Sequence, residues 1–299
     1  MHIAILSGWI SSERSVALRS ADNMKNWAII AWHTTEEFDF PTEINQFLKK
    51  YTTFDHIIPV FHGIYGEDGQ ITAFLETLGC SYAFSPFTTH AFCLDKYRTN
   101  LFVKKMGVKI PLTHFIREGE DLPELSELDF PFIVKPNHGG SSIATSKVKN
   151  ETELRKAHKM IALDDTVIQE YISGREFTVG VYRDKKWYHT LPIIEIVTIE
   201  KWAFFDFSEK YETDGSNEVF LEGEETLQKN LTELSKKIAT VLHCEWVVRI
   251  DYRYDGADIY FLEVNTIPGF TTGSLVPKMW KKAGKSEKEF IEMLLTSCK

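Results

Sequence analysis

Residues 246–275, WVVRIDYRYDGADIYFLEVNTIPGFTTGSL, constrain the fold more than any other stretch of the chain. Two alternating apolar runs flank an Asp255-Gly256 turn signal, which predicts a β-hairpin. Arg249 and Asp251 lie two apart on the first strand and share a face; Glu263 and Asn265 do the same on the second. For both pairs to share one face, the loop must hold an odd number of residues, either three at 255–257 or five. Three hard oxygen ligands (Asp251, Glu263, Asn265) then converge with one guanidinium, the equipment for Mg2+ and a phosphorylated substrate. The plainer reading is a hairpin with solvated charges on its outer face. Thr266-Ile267-Pro268-Gly269 then breaks the strand, and a strand-end loop with glycine and backbone N–H groups suits an oxyanion or a phosphate.

At 299 residues the chain can bury a large core in two or three domains. A net charge of −9 argues against a nucleic-acid partner, which needs a basic face. A polyanionic ligand would rely on local lysines and a metal. Cys80, Cys93, Cys244 and Cys298 lack metal-site spacing and make no disulfide framework in so long a chain, which fits reduced thiols in the cytoplasm. No stretch approaches the roughly 20 apolar residues of a membrane span, and the first apolar run is too short for a signal segment. The expectation is a soluble, cytoplasmic protein with no membrane partner. Segments alternate between strand and helix patterns, which implies α/β architecture.

Along the chain, residues 2–6 form an apolar strand that runs through Ser7-Gly8 into a helical pattern. Glu13 falls in that helix's first turn, where the dipole alone would favour a carboxylate. A second buried-type strand at 54–60 ends at HGIYGEDG, residues 62–69, with His62 at its head. Leu94-Asp95-Lys96 opens a further helix, where Lys96 could equally be solvated. A strand at 130–136 carries Lys135 and feeds Gly139-Gly140-Ser141-Ser142, a loop offering successive N–H donors to phosphates. It is not a Walker A loop, because the lysine precedes the glycines. Residues 194–222 read as a surface loop that folds over a site, and 226–242 as an amphipathic core helix.

HGxxGEDG, VKPxxxGSS, RxD and EVNTxPGxTxxSLVP occur in this order from Gly8 to Pro277. Together they resemble the D-alanine–D-alanine ligases, members of the ATP-grasp superfamily. The resemblance implies an ATP-grasp architecture: a Rossmann-like amino-terminal domain (1–88), a central lobe (89–172) and a carboxy-terminal lobe (173–299) with the hairpin and a lid. It implies that Glu13 binds the ammonium of the first D-alanine and that His62 lies beside it. Lys96, Lys135 and Lys210 would meet ATP phosphates under the loop containing Gly140 and Ser142. Glu170, Tyr171 and Ile172 would hold adenine by their backbone, and Glu176 the ribose hydroxyls. Tyr211 would join Ser141 and Glu13, a trio that favours an amine over a hydroxyl nucleophile. Arg249 and the Gly269 N–H would stabilise the oxyanion, and Ser274 and Leu275 would take the second D-alanine's carboxylate. Asp251, Glu263 and Asn265 would hold two Mg2+ ions, with Mn2+ as substitute. The family also implies a homodimer formed through the amino-terminal domain.

Several positions depart from the family pattern: Trp9 and Ala144 for glycine, Thr72-Ala73 for glutamine-glycine, 81–84 for Pro-Tyr-Thr-Gly, Asn100 for lysine and Gln169 for glutamate. Most lie on the amino-acid side, so ligase chemistry is better marked than the choice of D-alanine. A sister ligase for another amino acid or a hydroxy acid, and a nucleotide-binding regulator without catalysis, are the alternatives. Retention of Glu13, Lys135, Arg249, Asp251, Glu263 and Asn265 argues against the regulator.

Overall fold

The structure, a computed structural model, describes residues 1–11, 13–125, 129–140, 144–160, 164–198 and 216–296. Its first strand, β1 (His2–Gly8), is apolar and buried almost throughout, as suits the middle of a parallel sheet. It lies between β2 (Thr34–Phe40) and β3 (His56–Pro59), both parallel to it, in the order β2-β1-β3. Helix α1 (Arg14–Ile30) crosses between β1 and β2 and buries Val16, Ala17, Ser20, Ala21, Met24 and Ala28 at helical spacing. In such sheets the loops at the carboxyl ends of the strands build the site. Here those loops lead to Glu13 and to His62. Helices α2 (Ile44–Lys50) and α3 (Gln70–Thr77) complete the unit.

Helices α4 (Phe87–Leu94) and α5 (Lys96–Lys105) lead to a second sheet. It comprises β4 (Thr113–Ile116), β5 (Phe132–Pro136), β6 (Ser146–Val148) and β7 (Thr166–Glu170), antiparallel, in the order β4-β7-β5-β6. Helix α6 (Glu151–Met160) covers one face, packing Leu154 and Ala157 on Ile116, Phe132, Val134, Val148 and Ile168. Strand alternation therefore puts Lys135, with its neighbours Ile133 and Gln169, on the other face.

The third sheet holds β8 (Arg175–Arg183), β9 (Tyr188–Thr190), β10 (Ile194–Thr198), β11 (Ser216–Phe220), β12 (Val247–Tyr254) and β13 (Ile259–Asn265). Its order is β11-β10-β8-β12-β13, with β9 beside β8. Helix α7 (Glu225–Val241) seats Leu227, Leu231 and Ile238 against Phe177, Val179, Val181, Val248 and Ile250. Each such side chain contributes about 1.5–3 kcal/mol on burial. The polar residues of β8, β12 and β13 are left on the opposite face. Helices α8 (Leu275–Lys282) and α9 (Glu287–Thr296) return to the first sheet, where Met279, Phe290 and Leu294 join Ile3, Ile5, Met24 and Ile58 in one core.

The expected surface loop at 194–222 is in part a pair of strands: β10 and β11 pair antiparallel across its ends. Helices α4 and α8 and the short strands β4 and β9 carried no clear sequence signal. Cys80, Cys93 and Cys244 are free thiols; Cys298 lies outside the described residues. Among the described residues no helix is long and apolar enough to cross a membrane.

Candidate active site

The hairpin pairs Asp251 directly with Glu263 and Arg249 with Asn265. The expected odd loop is corrected, however. Residues 255–258 make a four-residue loop, closed by Asp255 N–H donating to the Asp258 carbonyl at 3.2 Å. Parity is restored by a bulge, because β13 places Leu262 as an extra residue between the partners of Asp251 and Tyr252.

Asp251 is the hub of this face. It accepts from Arg249 Nε at 3.0 Å and Nη2 at 2.9 Å, from Thr178 Oγ1 at 2.6 Å and from Asn265 Nδ2 at 3.0 Å. With Nδ2 committed to Asp251, the Asn265 carbonyl oxygen is the atom able to ligate a cation. Glu176 ion-pairs with Arg253 at 3.3 Å, and Glu263 with Lys96 at 3.6 Å. Lys96 opens α5, whose start is capped by the Asp95 carboxylate accepting from Arg98 N–H at 2.9 Å, and its ammonium donates to the Gly139 carbonyl. The Gly139 backbone and the hairpin are thereby joined through one lysine.

Lys135 is buried, and among the described residues it has no ion pair. Burial lowers its pKa to about 8, with the Lys96 charge adding to the effect and Glu263, Glu176 and Asp251 opposing it. Those named groups come from both lobes, so the second and third sheets present their charged faces to one another. Asn137 sets the loop's root: its carbonyl accepts from Lys96 N–H and its Oδ1 from Tyr97 N–H at 2.9 Å. His138 donates its backbone N–H to Asp164 at 2.8 Å and meets the same carboxylate through Nδ1 at 2.7 Å.

Glu13 immediately precedes α1, at the positive end of the helix dipole, and its side chain makes no capping hydrogen bond. A Cβ on Gly63 would lie 2.6 Å from Glu13 Oε2, and one on Gly140 would lie 3.0 Å away. Glycine at both positions lets the carboxylate sit between the first-domain loop and the phosphate loop. His62 is buried, with Nε2 on Ser20 Oγ at 3.0 Å and Nδ1 on the Ile267 carbonyl at 3.0 Å. Burial lowers its pKa, which keeps the ring neutral. Ser20 Oγ also accepts from Phe270 N–H at 3.2 Å.

Glu67, which carried no assigned role, accepts from Thr266 N–H at 3.0 Å, Ile267 N–H at 3.3 Å and Gly63 N–H at 3.2 Å. His62, Ser20 and Glu67 therefore fix the turn at 266–270 that presents Gly269. A Cβ on Gly269 would come 2.7 Å from Ser274 Oγ, the residue before α8. Ser274 and Leu275 thus stand at a helix amino terminus, suited to a carboxylate.

At the linker, Glu170 donates its N–H to the Leu112 carbonyl at 2.9 Å, Ile172 is buried, and Lys147 lies 3.3 Å over the Tyr171 ring. Gln169 gives its amide N–H to Thr113 Oγ1 at 2.9 Å. Ser141, Ser142, Lys210 and Tyr211 lie outside the described residues.

Among the positions that depart from the family pattern, Tyr82, Ala83 and Phe84 are buried, and Phe84 stacks on Phe270 at 5.5 Å, behind the 266–270 turn. Thr72 is buried within α3 and donates to the Gly69 carbonyl. Trp9 adopts φ 68° and packs against Tyr65, itself at φ 75°, with the rings tilted and their centroids 4.6 Å apart.

Among the described residues no cluster of three His, Cys, Asp or Glu side chains is placed to hold a metal. The donor set is two carboxylates and an amide oxygen, with Asp251 already neutralised by Arg249. That set still fits Mg2+, which keeps waters and takes one or two carboxylates plus substrate phosphates.

Three sheets with a charged hairpin facing phosphate-type lysines define an ATP-grasp enzyme. The structure matches the D-alanine–D-alanine ligase of Bacillus anthracis complexed with ATP at TM-score 0.85 and 28% identity, over 99% of this chain and 96% of that one. The family model described as D-ala D-ala ligase C-terminus matches residues 104–296. D-alanine–D-alanine ligases of Clostridium beijerinckii and Thermotoga petrophila are 33% and 34% identical, each over 99% of this chain and 97% of the relative. This chain belongs to the D-alanine–D-alanine ligase family.

Proposed function

We propose that this protein joins two D-alanine molecules, converting ATP to ADP and phosphate, to supply the dipeptide for peptidoglycan. The observation that carries the reading is Asp251 paired with Glu263 and ion-paired through it to Lys96, in a chain 33–34% identical over its length to D-alanine–D-alanine ligases.

Amide formation in water is uphill, so the first carboxylate must be activated as an acyl phosphate. Lys96, Lys135 and Lys210, with the Gly140 and Ser142 backbone, hold the phosphates for in-line transfer. Glu170, Tyr171 and Ile172 hold adenine, and Glu176 the ribose. Asp251, Glu263 and Asn265 hold Mg2+, or Mn2+ in its place; when bound, the metal neutralises charge on the transferring phosphate. Glu13 takes the first ammonium, with Ser141 and Tyr211 completing that network and His62 setting its wall. Ser274 and Leu275 receive the second carboxylate. Arg249 and the Gly269 N–H stabilise the oxyanion, and one such donor accounts for about 3 kcal/mol. The lobes at 1–88, 89–172 and 173–299 close on the nucleotide in the cytoplasm. A homodimer through the first domain is supported by the exposed apolar side chains of Ile29, Ile30 and Trp32.

A phosphate-release assay with single and paired amino acids tests the reading. Release with D-alanine, together with dipeptide formation, is expected. Release only with another amino acid would reassign the substrate, and no release with any would overturn the ligase.

A further inference from the structure

The facing of Glu263 and Asp251 depends on one extra residue. Towards the hairpin tip the pairs are Tyr252–Phe261, Arg253–Tyr260 and Tyr254–Ile259; beyond Leu262 they are Asp251–Glu263, Ile250–Val264 and Arg249–Asn265. Had the tip register continued, Asp251 would face Leu262, and Glu263 would turn to the core side.

A bulge takes its extra residue out of the ladder. Here the Leu262 carbonyl accepts from Asn100 Nδ2 at 3.2 Å, and the same amide donates to the Lys96 carbonyl at 2.7 Å. Asn100 is fully buried on α5, one turn beyond Lys96. Its Oδ1 is buried with no hydrogen-bond partner among the described residues. The position therefore asks for donors to two carbonyls and for no acceptor. We infer that Asn100 is a positioning residue: by tying the Leu262 bulge to the helix that carries Lys96, it sets Glu263 opposite Asp251 and fixes metal ligand and phosphate lysine as one unit.

This rests on the metal role of Glu263 proposed above, and the test separates the two. Mn2+ binding is followed by electron paramagnetic resonance with a non-hydrolysable ATP analogue, alongside metal-free analogue binding and thermal unfolding. Asn100→Leu should weaken Mn2+ binding about tenfold or more, as losses of supporting partners at metal sites do. Metal-free analogue affinity should stay within about twofold, since the phosphate lysines remain. Asn100→Lys, whose ammonium is all donor, should keep Mn2+ affinity within about threefold of wild type. Asn100→Met, of similar reach and flexible but without a hydrogen-bond donor, replaces the leucine variant if that fails to fold. Unchanged Mn2+ affinity in the donor-less variants, however far unfolding shifts, would overturn the role of Asn100. So would an Asn100→Lys variant as weak as they are. A wild type that binds no Mn2+, or a Glu263→Gln variant that binds it equally well, would overturn the metal role and this inference with it.

Discussion

Glu67 tests how the site is held, because its half-buried side chain takes three backbone donors from two loops, its own and the one at 266–267. Burial, with the Glu13 charge adding to it, raises its pKa from 4.5 to about 7. Between those values the folded protein retains a proton that the unfolded chain has released. Stability therefore falls as pH rises across that window, and this contribution is flat on either side. At about 1.4 kcal/mol per pH unit the total loss is about 3 kcal/mol. Glu67→Gln cannot titrate and places an amide N–H against a backbone donor, so it should be less stable by about 1–3 kcal/mol where wild type is most favoured. Urea unfolding of both ligand-free proteins from about pH 4 to pH 8 isolates the effect, since other groups cancel in the difference. The advantage of wild type over the variant should shrink by about 3 kcal/mol as pH rises. Parallel curves would refute both the raised pKa and the account of the 266–270 turn.

Three further outcomes follow from the geometry. Glu263→Gln should abolish phosphate release while leaving the unfolding temperature near wild type, and near-normal turnover would remove the metal assignment. Ala144 sits at φ 57°, where an L-residue is strained by about 1–2 kcal/mol. Glycine there relieves the strain but loosens the unfolded chain, so Ala144→Gly should raise stability by about 0.5 kcal/mol in urea; a loss would mean the methyl's packing outweighs the strain. Gly269→Ala would place a Cβ 2.7 Å from Ser274 Oγ, so the serine must shift. It should raise KM for the second D-alanine more than for the first, as initial rates at saturating ATP would show.

The sequence revealed most where function and spacing coincide. The shared face of the hairpin quartet was legible because residues two apart on a strand point the same way, whereas Glu13, Lys96 and Lys135 stood out only through the family resemblance. Loop parity was not, because a bulge is set by what packs on the strand. Asn100 lies 162 residues from the carbonyl it holds. Glu67 was hidden for the same reason, its Thr266 donor being 199 residues away. The departures at 81–84 were visible only against the family pattern, and their packing was not. In space they back Phe270 from the core. Strands β4 and β9, four and three residues long, were too short for alternation to mark.

The last prediction concerns Lys135 and the charge balance of the facing lobes. Arg249 with Asp251, Lys96 with Glu263 and Arg253 with Glu176 are three ion pairs already matched within the protein. Lys135 has no such partner among the described residues, and burial is the main cause of its pKa near 8. As pH rises through that value the ligand-free lysine loses its proton, and with it the attraction for a polyphosphate. A bound polyphosphate reverses the balance by restoring an anionic neighbour, which lifts the pKa again. Nucleotide binding should therefore take up almost no proton near pH 6.5, about half near pH 8 and most of one near pH 9. Calorimetric titration in two buffers of different ionisation enthalpy measures this directly, and Lys135→Met should remove the uptake at the higher pH. Binding at pH 9 without proton uptake, or with the same uptake in the methionine variant, would mean that Lys135 is not the cation awaiting the nucleotide's phosphates.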